Sequence, residues 1–168
     1  MASKKLTDVV YMDCAKSIAF LSYAIRKKVG CLIVKDNHIL SEGCNGTVSG
    51  YDNSCEDRVY MPFDMGAWHD PETIEETYPL LDEKGNRYKL VTKPDTLHAE
   101  LNAILKAARE GISIKGADMY ITCSPCIVCA PHIAQVGIRN VYYHELYRSR
   151  DGLDKLKEYG VNTIHLEV

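Results

Sequence analysis

Apolar residues recur near helical spacing at Val9, Val10, Ala15, Ile18, Ala19 and Leu21, which predicts an amphipathic helix over 7–25. Two β-rich runs follow, at 29–34 and 38–42. They flank Lys35-Asp36-Asn37, whose Asp and Asn favour a hairpin turn. Regular patterning returns after residue 97. Ala99–Arg109 is rich in Ala and Leu and reads as a helix stopped by Gly111. Asp118–Cys123 reads as a strand, and 126–136 as a helix opened by Pro125, capped by Ser124 and closed by Gly137. A strand at 140–144, a helix at 153–159 ended by Gly160 and a strand at 162–166 complete the series. Such alternation predicts an α/β fold, with one sheet covered by helices.

Between residues 47 and 96 the pattern lapses. This stretch holds four of the six prolines and little periodicity. It is too long for an idle connection, so it reads as a functional or partner-facing insert within a single domain over 1–168. Inside it, 80–91 has the marks of a small hairpin turning at Lys84-Gly85-Asn86. No internal repeat is visible.

Composition narrows the function classes. Apolar residues make up 46% and charged residues 26% of the 168, ordinary values for a globular protein. No run approaches the roughly 18 apolar residues that span a bilayer. Lys4, Lys5, Asp8 and Asp13 interrupt any secretory-type apolar core. The expectation is a cytoplasmic protein without a membrane partner. A formal charge of −3 with scattered Lys and Arg argues against a nucleic-acid partner, which calls for a concentrated basic face. Arg26-Lys27-Lys28 is the one tight basic cluster. It suits either a solvated helix end or a pocket for one phosphate.

Seven cysteines fit a disulfide framework badly and fit metal binding plus buried thiols better. Cys126 and Cys129 stand three apart at a predicted helix start, where the positive helix end favours thiolates. Alone, that spacing also suits a redox pair or two core thiols. His98-Ala99-Glu100 changes the balance. A His and a Glu two apart at one helix start, with Pro-Cys-x-x-Cys at the next, form the zinc-deaminase signature. Three ligands (His98, Cys126 and Cys129) leave a fourth zinc position open for water, whose pKa the metal lowers to about 7. Glu100 is then the proton shuttle, serving the attacking water, ring N3 and the leaving amine.

The segments Val29-Gly30-Cys31, Gly43-Cys44-Asn45-Gly46, His98-Ala99-Glu100-Leu101-Asn102-Ala103-Ile104 and Ser124-Pro125-Cys126-x-x-Cys129-Ala130 resemble those of the deoxycytidylate (dCMP) deaminases of phages and eukaryotes. The resemblance covers most of the chain outside the insert. It implies a three-layer cytidine-deaminase-like fold, with a central five-stranded mixed sheet between helices. It also implies hydrolysis of dCMP to dUMP, feeding thymidylate synthesis, by a homohexamer that dCTP with Mg²⁺ activates and dTTP inhibits. If the chain is viral, its place would be the host cytoplasm. Asn45 resembles the family asparagine that contacts the substrate sugar, though Asn before Gly also simply makes turns. The effector loop would comprise Asn45, Gly46, Thr47, Gly50, Asp52 and Asn53. Arg26 is the first candidate for the substrate phosphate, and Tyr147 for closing over the base or reaching the phosphate. Pro131 departs from the family pattern and is expected to remove one hydrogen bond from the 126–136 helix and kink it. The same residues leave open a cytidine nucleoside deaminase, a nucleic-acid base deaminase, or a noncatalytic zinc-stabilised protein.

Overall fold

The computed structural model describes residues 4–167. Helix α1 (Lys4–Ala19) leads into the hairpin of β1 (Gly30–Lys35) and β2 (His38–Cys44). Its two-residue turn, Asp36 and Asn37, adopts φ values of 49° and 62°. Both residue types tolerate that left-handed backbone, which matches the twist of a tight hairpin. The insert follows as β3 (Glu56–Tyr60), α2 (Met65–Trp68), α3 (Pro71–Thr77), β4 (Leu80–Leu81) and β5 (Arg87–Thr92). Then come α4 (Ala99–Arg109), β6 (Asp118–Cys123), α5 (Cys129–Gln135), β7 (Asn140–Glu145), α6 (Asp151–Glu158) and β8 (Asn162–His165).

The main sheet has the order β2-β1-β6-β7-β8. β1 is antiparallel to both neighbours, whereas β6, β7 and β8 run parallel, so the five strands form the expected mixed sheet. Its two faces are read from alternate residues. Cys31, Ile33, Met119, Ile121, Val141 and Tyr143 pack with Ala99, Ala103 and Ala107 of α4, Ile133 of α5, and Leu153 and Leu156 of α6. Leu32, Val34, Tyr120 and Tyr142 pack beneath Met12 and Ala15 of α1. Burial on both faces explains why these strands read as nearly unbroken apolar runs. The three-layer arrangement is therefore as expected. No helix among the described residues is long and apolar enough to cross a membrane.

Three local expectations need correction. The first helix ends at Ala19, not at residue 25. The N–H groups of Phe20, Leu21 and Ser22 each bond to the carbonyl three residues back, winding the helix to a stop. Phe20, Leu21, Tyr23 and Ile25 then lie exposed, so their apolar spacing does not report a buried face. The predicted 126–136 helix begins only at Cys129. Pro131 has no N–H for the Ile127 carbonyl, so it interrupts the ladder at the helix start rather than kinking its middle. Ser124 caps nothing. Its hydroxyl instead accepts the Tyr147 N–H at 2.8 Å. In the insert, the 80–91 hairpin forms as β4 and β5, and β3 joins it in a three-stranded antiparallel sheet, β3-β5-β4, that the sequence pattern does not announce.

Candidate metal centre and active site

Strand register brings four distant segments to one edge of the main sheet. Gly30 lies opposite Cys44, Cys31 opposite Ile121, and Cys123 opposite Glu145. Residues 27–29, 45–46, 124–126 and 146–147 therefore emerge together, beyond the carboxyl ends of β6 and β7. Helix α4 is seated against that edge by close backbone approach. A Cβ on Gly43 would lie 2.6 Å from Ala99 O and Ala103 N, so only glycine permits this contact. Ser41 Oγ donates to Ala103 O at 2.7 Å, and Asn102 Nδ2 to Cys44 O at 2.7 Å. Gly46 and Leu97 exchange backbone hydrogen bonds of 3.0 and 2.8 Å, which ties the Asn-Gly loop to the residue before His98.

His98 is the extended residue that precedes α4, and its ring caps no backbone group. Its Nδ1 lies 3.4 Å from Cys126 Sγ and 3.3 Å from Cys129 Sγ, and the three atoms all fall within 4.8 Å of one another. Tetrahedral zinc with bonds of about 2.3 Å to sulfur and about 2.0 Å to nitrogen would set each N···S pair about 3.5 Å apart. The residues fit the metal. Among the described residues this is the sole cluster of three such ligand groups. The two cysteines bracket one turn, in which the Cys129 N–H donates to Cys126 O at 3.1 Å.

Electrostatics couple the same residues to one another. The Cys126 thiol is pushed down to about 3, first by the hydrogen bond from Cys129 and then by His98. Cys129 is raised in turn, because it keeps the proton that Cys126 shares. The hydrogen bond to Cys126 also raises His98. Metal binding needs both sulfurs deprotonated, so uptake would release protons. Glu100 sits in the first turn of α4 and is 4% exposed. Burial raises its carboxyl above the usual range, opposed by its own backbone N–H and by His98. A buried carboxyl held in this way can both accept and return a proton.

The remaining expected residues are placed more variously. Asn45 spends one lone pair and one amide proton on its own loop and keeps one of each. Its Oδ1 accepts from Val29 N at 2.8 Å, and its Nδ2 donates to Lys27 O at 2.9 Å. The Arg26 guanidinium donates to Thr92 Oγ1 at 3.1 Å. Tyr147 packs on the main core beneath the Arg148 guanidinium, at 5.3 Å from ring centre to Cζ. Gly46 is paired with Leu97, next to His98, and the Thr47 hydroxyl is buried without a partner. Gly50 adopts φ +91°, Asp52 pairs with Lys93 at 3.4 Å, and Asn53 O accepts from Cys55 Sγ at 3.5 Å, all on the way into the insert. Sequence reasoning counts Lys27 only as part of the basic cluster and misses its partners: its Nζ bonds to Glu145 at 2.8 Å, and its charge opposes the rise that burial imposes on the neighbouring Cys123 thiol. It also passes over Glu56 and Thr92. No local spacing could have flagged contacts that span 30 to 118 positions.

Comparison with known proteins agrees with this geometry. Residues 6–145 match the model for the cytidine and deoxycytidylate deaminase zinc-binding region. The deoxycytidylate deaminase of Enterobacteria phage T4 is 37% identical over 141 residues, which cover 77% of this chain and 73% of that protein. The solved dCMP deaminase of cyanophage S-TIM5, in complex with dCMP and dUMP, superposes with a TM-score of 0.75 at 34% identity, over 99% of this chain and 100% of that one. A Thermotoga maritima diaminohydroxyphosphoribosylaminopyrimidine deaminase/reductase shares the fold at 19% identity, with a TM-score of 0.64 over 97% of this chain and 37% of that one. With its ligand set, its buried glutamate and its mixed five-stranded sheet, this chain belongs to the cytidine and deoxycytidylate deaminase family.

Proposed function

We propose that the protein hydrolyses dCMP to dUMP and ammonia. The observation that carries this reading is the convergence of His98 Nδ1, Cys126 Sγ and Cys129 Sγ beside the buried Glu100. The likeness to phage deoxycytidylate deaminases supports the choice of substrate. Zinc, held by His98, Cys126 and Cys129, would supply the Lewis acidity that makes water a nucleophile near neutral pH. Glu100 takes a proton from the attacking water and delivers protons to cytosine N3 and then to the amine that leaves C4. The apolar packing around α4 excludes bulk water from that carboxyl and keeps it basic enough to accept. Arg26 meets the phosphate, Asn45 the sugar, and Tyr147 the base or phosphate.

The finer reading has the enzyme activated by dCTP with Mg²⁺ and inhibited by dTTP, through a loop of Asn45, Gly46, Thr47, Gly50, Asp52 and Asn53. The buried, unpartnered Thr47 hydroxyl in that loop supports it. It also has the enzyme acting as a homohexamer, which the exposed Phe20, Leu21, Tyr23 and Ile25 support, and supplying dUMP for thymidylate synthesis in the cytoplasm. The test is turnover of dCMP, deoxycytidine, CMP and dCTP by the zinc-loaded protein, with and without dCTP and Mg²⁺ as effector. Preference for dCMP is expected, with kcat lower by about 10²–10⁴ in Glu100→Gln while zinc stays bound. Turnover of the nucleoside alone would reassign the substrate, and full activity in Glu100→Gln would remove the assigned proton shuttle.

A further inference from the structure

Glu56 and Thr92 face each other across the first rung of the insert sheet, Glu56 at the start of β3 and Thr92 at the end of β5. That rung reaches the segment between α1 and β1. The Glu56 carboxylate, nine-tenths buried, accepts the Ile25 N–H on both oxygens at 3.2 Å and the Arg26 N–H on Oε1 at 3.2 Å. Thr92 Oγ1 accepts from Arg26 Nη1 at 3.1 Å. One cross-strand pair thus holds the same arginine at both ends, Glu56 by the backbone and Thr92 by the guanidinium. A buried carboxylate is costly unless its hydrogen bonds are met, and Glu56 meets its own with main-chain amides rather than a cation. Those bonds fix the backbone from which the Arg26 side chain departs. Asn45 and Ser22 fix the rest of the segment, through Val29 N, Lys27 O and Asn45 O, so Arg26 projects from a loop anchored on both sides.

We propose that Glu56 and Thr92 are positioning residues for recognition of the substrate phosphate, and that the insert thereby sets the preference for a nucleotide over a nucleoside. The inference rests on the reading above that Arg26 meets the phosphate of dCMP. A long cationic side chain gives phosphate selectivity only when its approach is fixed, since misplacement by about 1 Å can forfeit much of the gain from orientation. Thr92 supplies a resting partner that holds the fork near its working position and releases it at the expense of one exposed hydrogen bond to a hydroxyl, which a phosphate oxygen replaces.

The experiment compares the zinc-loaded wild type with Glu56→Gln, Thr92→Val, Thr92→Ser and Arg26→Ala. The readouts are kcat and KM for dCMP and for deoxycytidine, inhibition by dUMP, and thermal melts. Glu56→Gln is expected to lower the ratio of kcat/KM for dCMP over deoxycytidine about tenfold, with the loss in KM for dCMP and a parallel weakening of dUMP. Thr92→Val is expected to give a loss of about threefold of the same kind, and Thr92→Ser, which keeps the hydroxyl, to restore the wild-type KM. Adding Glu56→Gln to Arg26→Ala should leave KM for dCMP where Arg26→Ala alone puts it. Equal losses on both substrates, or loss in kcat alone, would mean that Glu56 merely supports the fold and would overturn the proposal. Thr92→Val is exposed and nearly isosteric, so it carries the test if Glu56→Gln melts early. An unaltered dCMP preference in Arg26→Ala would defeat the phosphate reading itself, and this proposal with it. A raised KM in Arg26→Ala with none in Glu56→Gln or Thr92→Val would defeat the proposal alone.

Discussion

The five-stranded sheet and the insert sheet lie in one chain but are held by different forces. In the first, β1 and β6 are almost wholly buried, and apolar side chains fill both faces. In the second, β5 has no buried residue and α3 has none. Polar contacts dominate there. Asp70 caps Thr73, the Asp82 carboxylate accepts from Lys84 N and Asn86 N, Arg87 pairs with Glu75 at 3.6 Å, and Arg58 lies over the Tyr88 ring. Apolar burial is worth roughly 25 cal/mol per Å², whereas exposed ion pairs contribute about 0–1 kcal/mol each. The candidate metal ligands thus stand on the part with the larger buried apolar core, and Glu56 and Thr92 on the part held mainly by polar contacts.

Native-state hydrogen exchange tests this contrast most directly. Amides of β3 and β5 are expected to exchange at least about 100-fold faster than those of β1 and β6, because local opening costs less where little apolar surface is buried. Equal protection would erase the distinction. Glycine-to-alanine exchanges sharpen it next. On Gly152 the new Cβ would lie 2.0 Å from Pro125 O, beside the turn that bears Cys126. Gly152→Ala should cost about 1–3 kcal/mol and weaken zinc binding, read by melts and zinc titration. On Gly66, in α2 of the insert, a Cβ meets nothing within 4 Å. Gly66→Ala should change stability by about 1 kcal/mol or less, in the stabilising direction.

The smallest effect belongs to Lys27–Glu145, whose side chains are 47% and 57% exposed. The hydrogen bond to Lys27 lowers Glu145, and that to Glu145 raises Lys27 against its partial burial. The depressed carboxylate stabilises the fold above its unfolded pKa, and that contribution is lost as pH falls through the folded value. The raised ammonium contributes below its unfolded pKa, and its share is lost as pH rises through the folded value. Glu145→Gln should therefore cost at most about 1 kcal/mol at neutral pH, less after discounting for solvent screening, and the cost should shrink as acid protonates the carboxylate. Urea melts at neutral and acid pH check it.

How much of this was legible beforehand follows the same division. Where alternate residues are buried on both faces, as in Cys31–Val34 and Met119–Cys123, the sequence shows strands directly. His98, Glu100, Cys126 and Cys129 were legible because their chemistry forces close spacing at two helix starts. The α1 boundary was not, since Phe20, Leu21 and Ile25 continue an apolar rhythm that nothing in this chain buries. β3 was missed because only Glu56 of its five residues is buried, so no alternation marks it. The roles of Glu56 and Thr92 depend on strand pairing with partners 30 and 66 positions away, which no short window contains.

The paired carbonyls and amides of Gly46 and Leu97 carry one last consequence. The excursion over 47–96 leaves and re-enters the body of the protein through a single rung, so its two ends are already closed. Once ends are fixed, each doubling of loop length costs only about 0.6 kcal/mol. Lineages could therefore lengthen, shorten or replace that module wholesale while His98 keeps its bearing on the two cysteines. The five-stranded body becomes a socket, and the excursion a cartridge that can be exchanged without moving the three candidate ligand side chains.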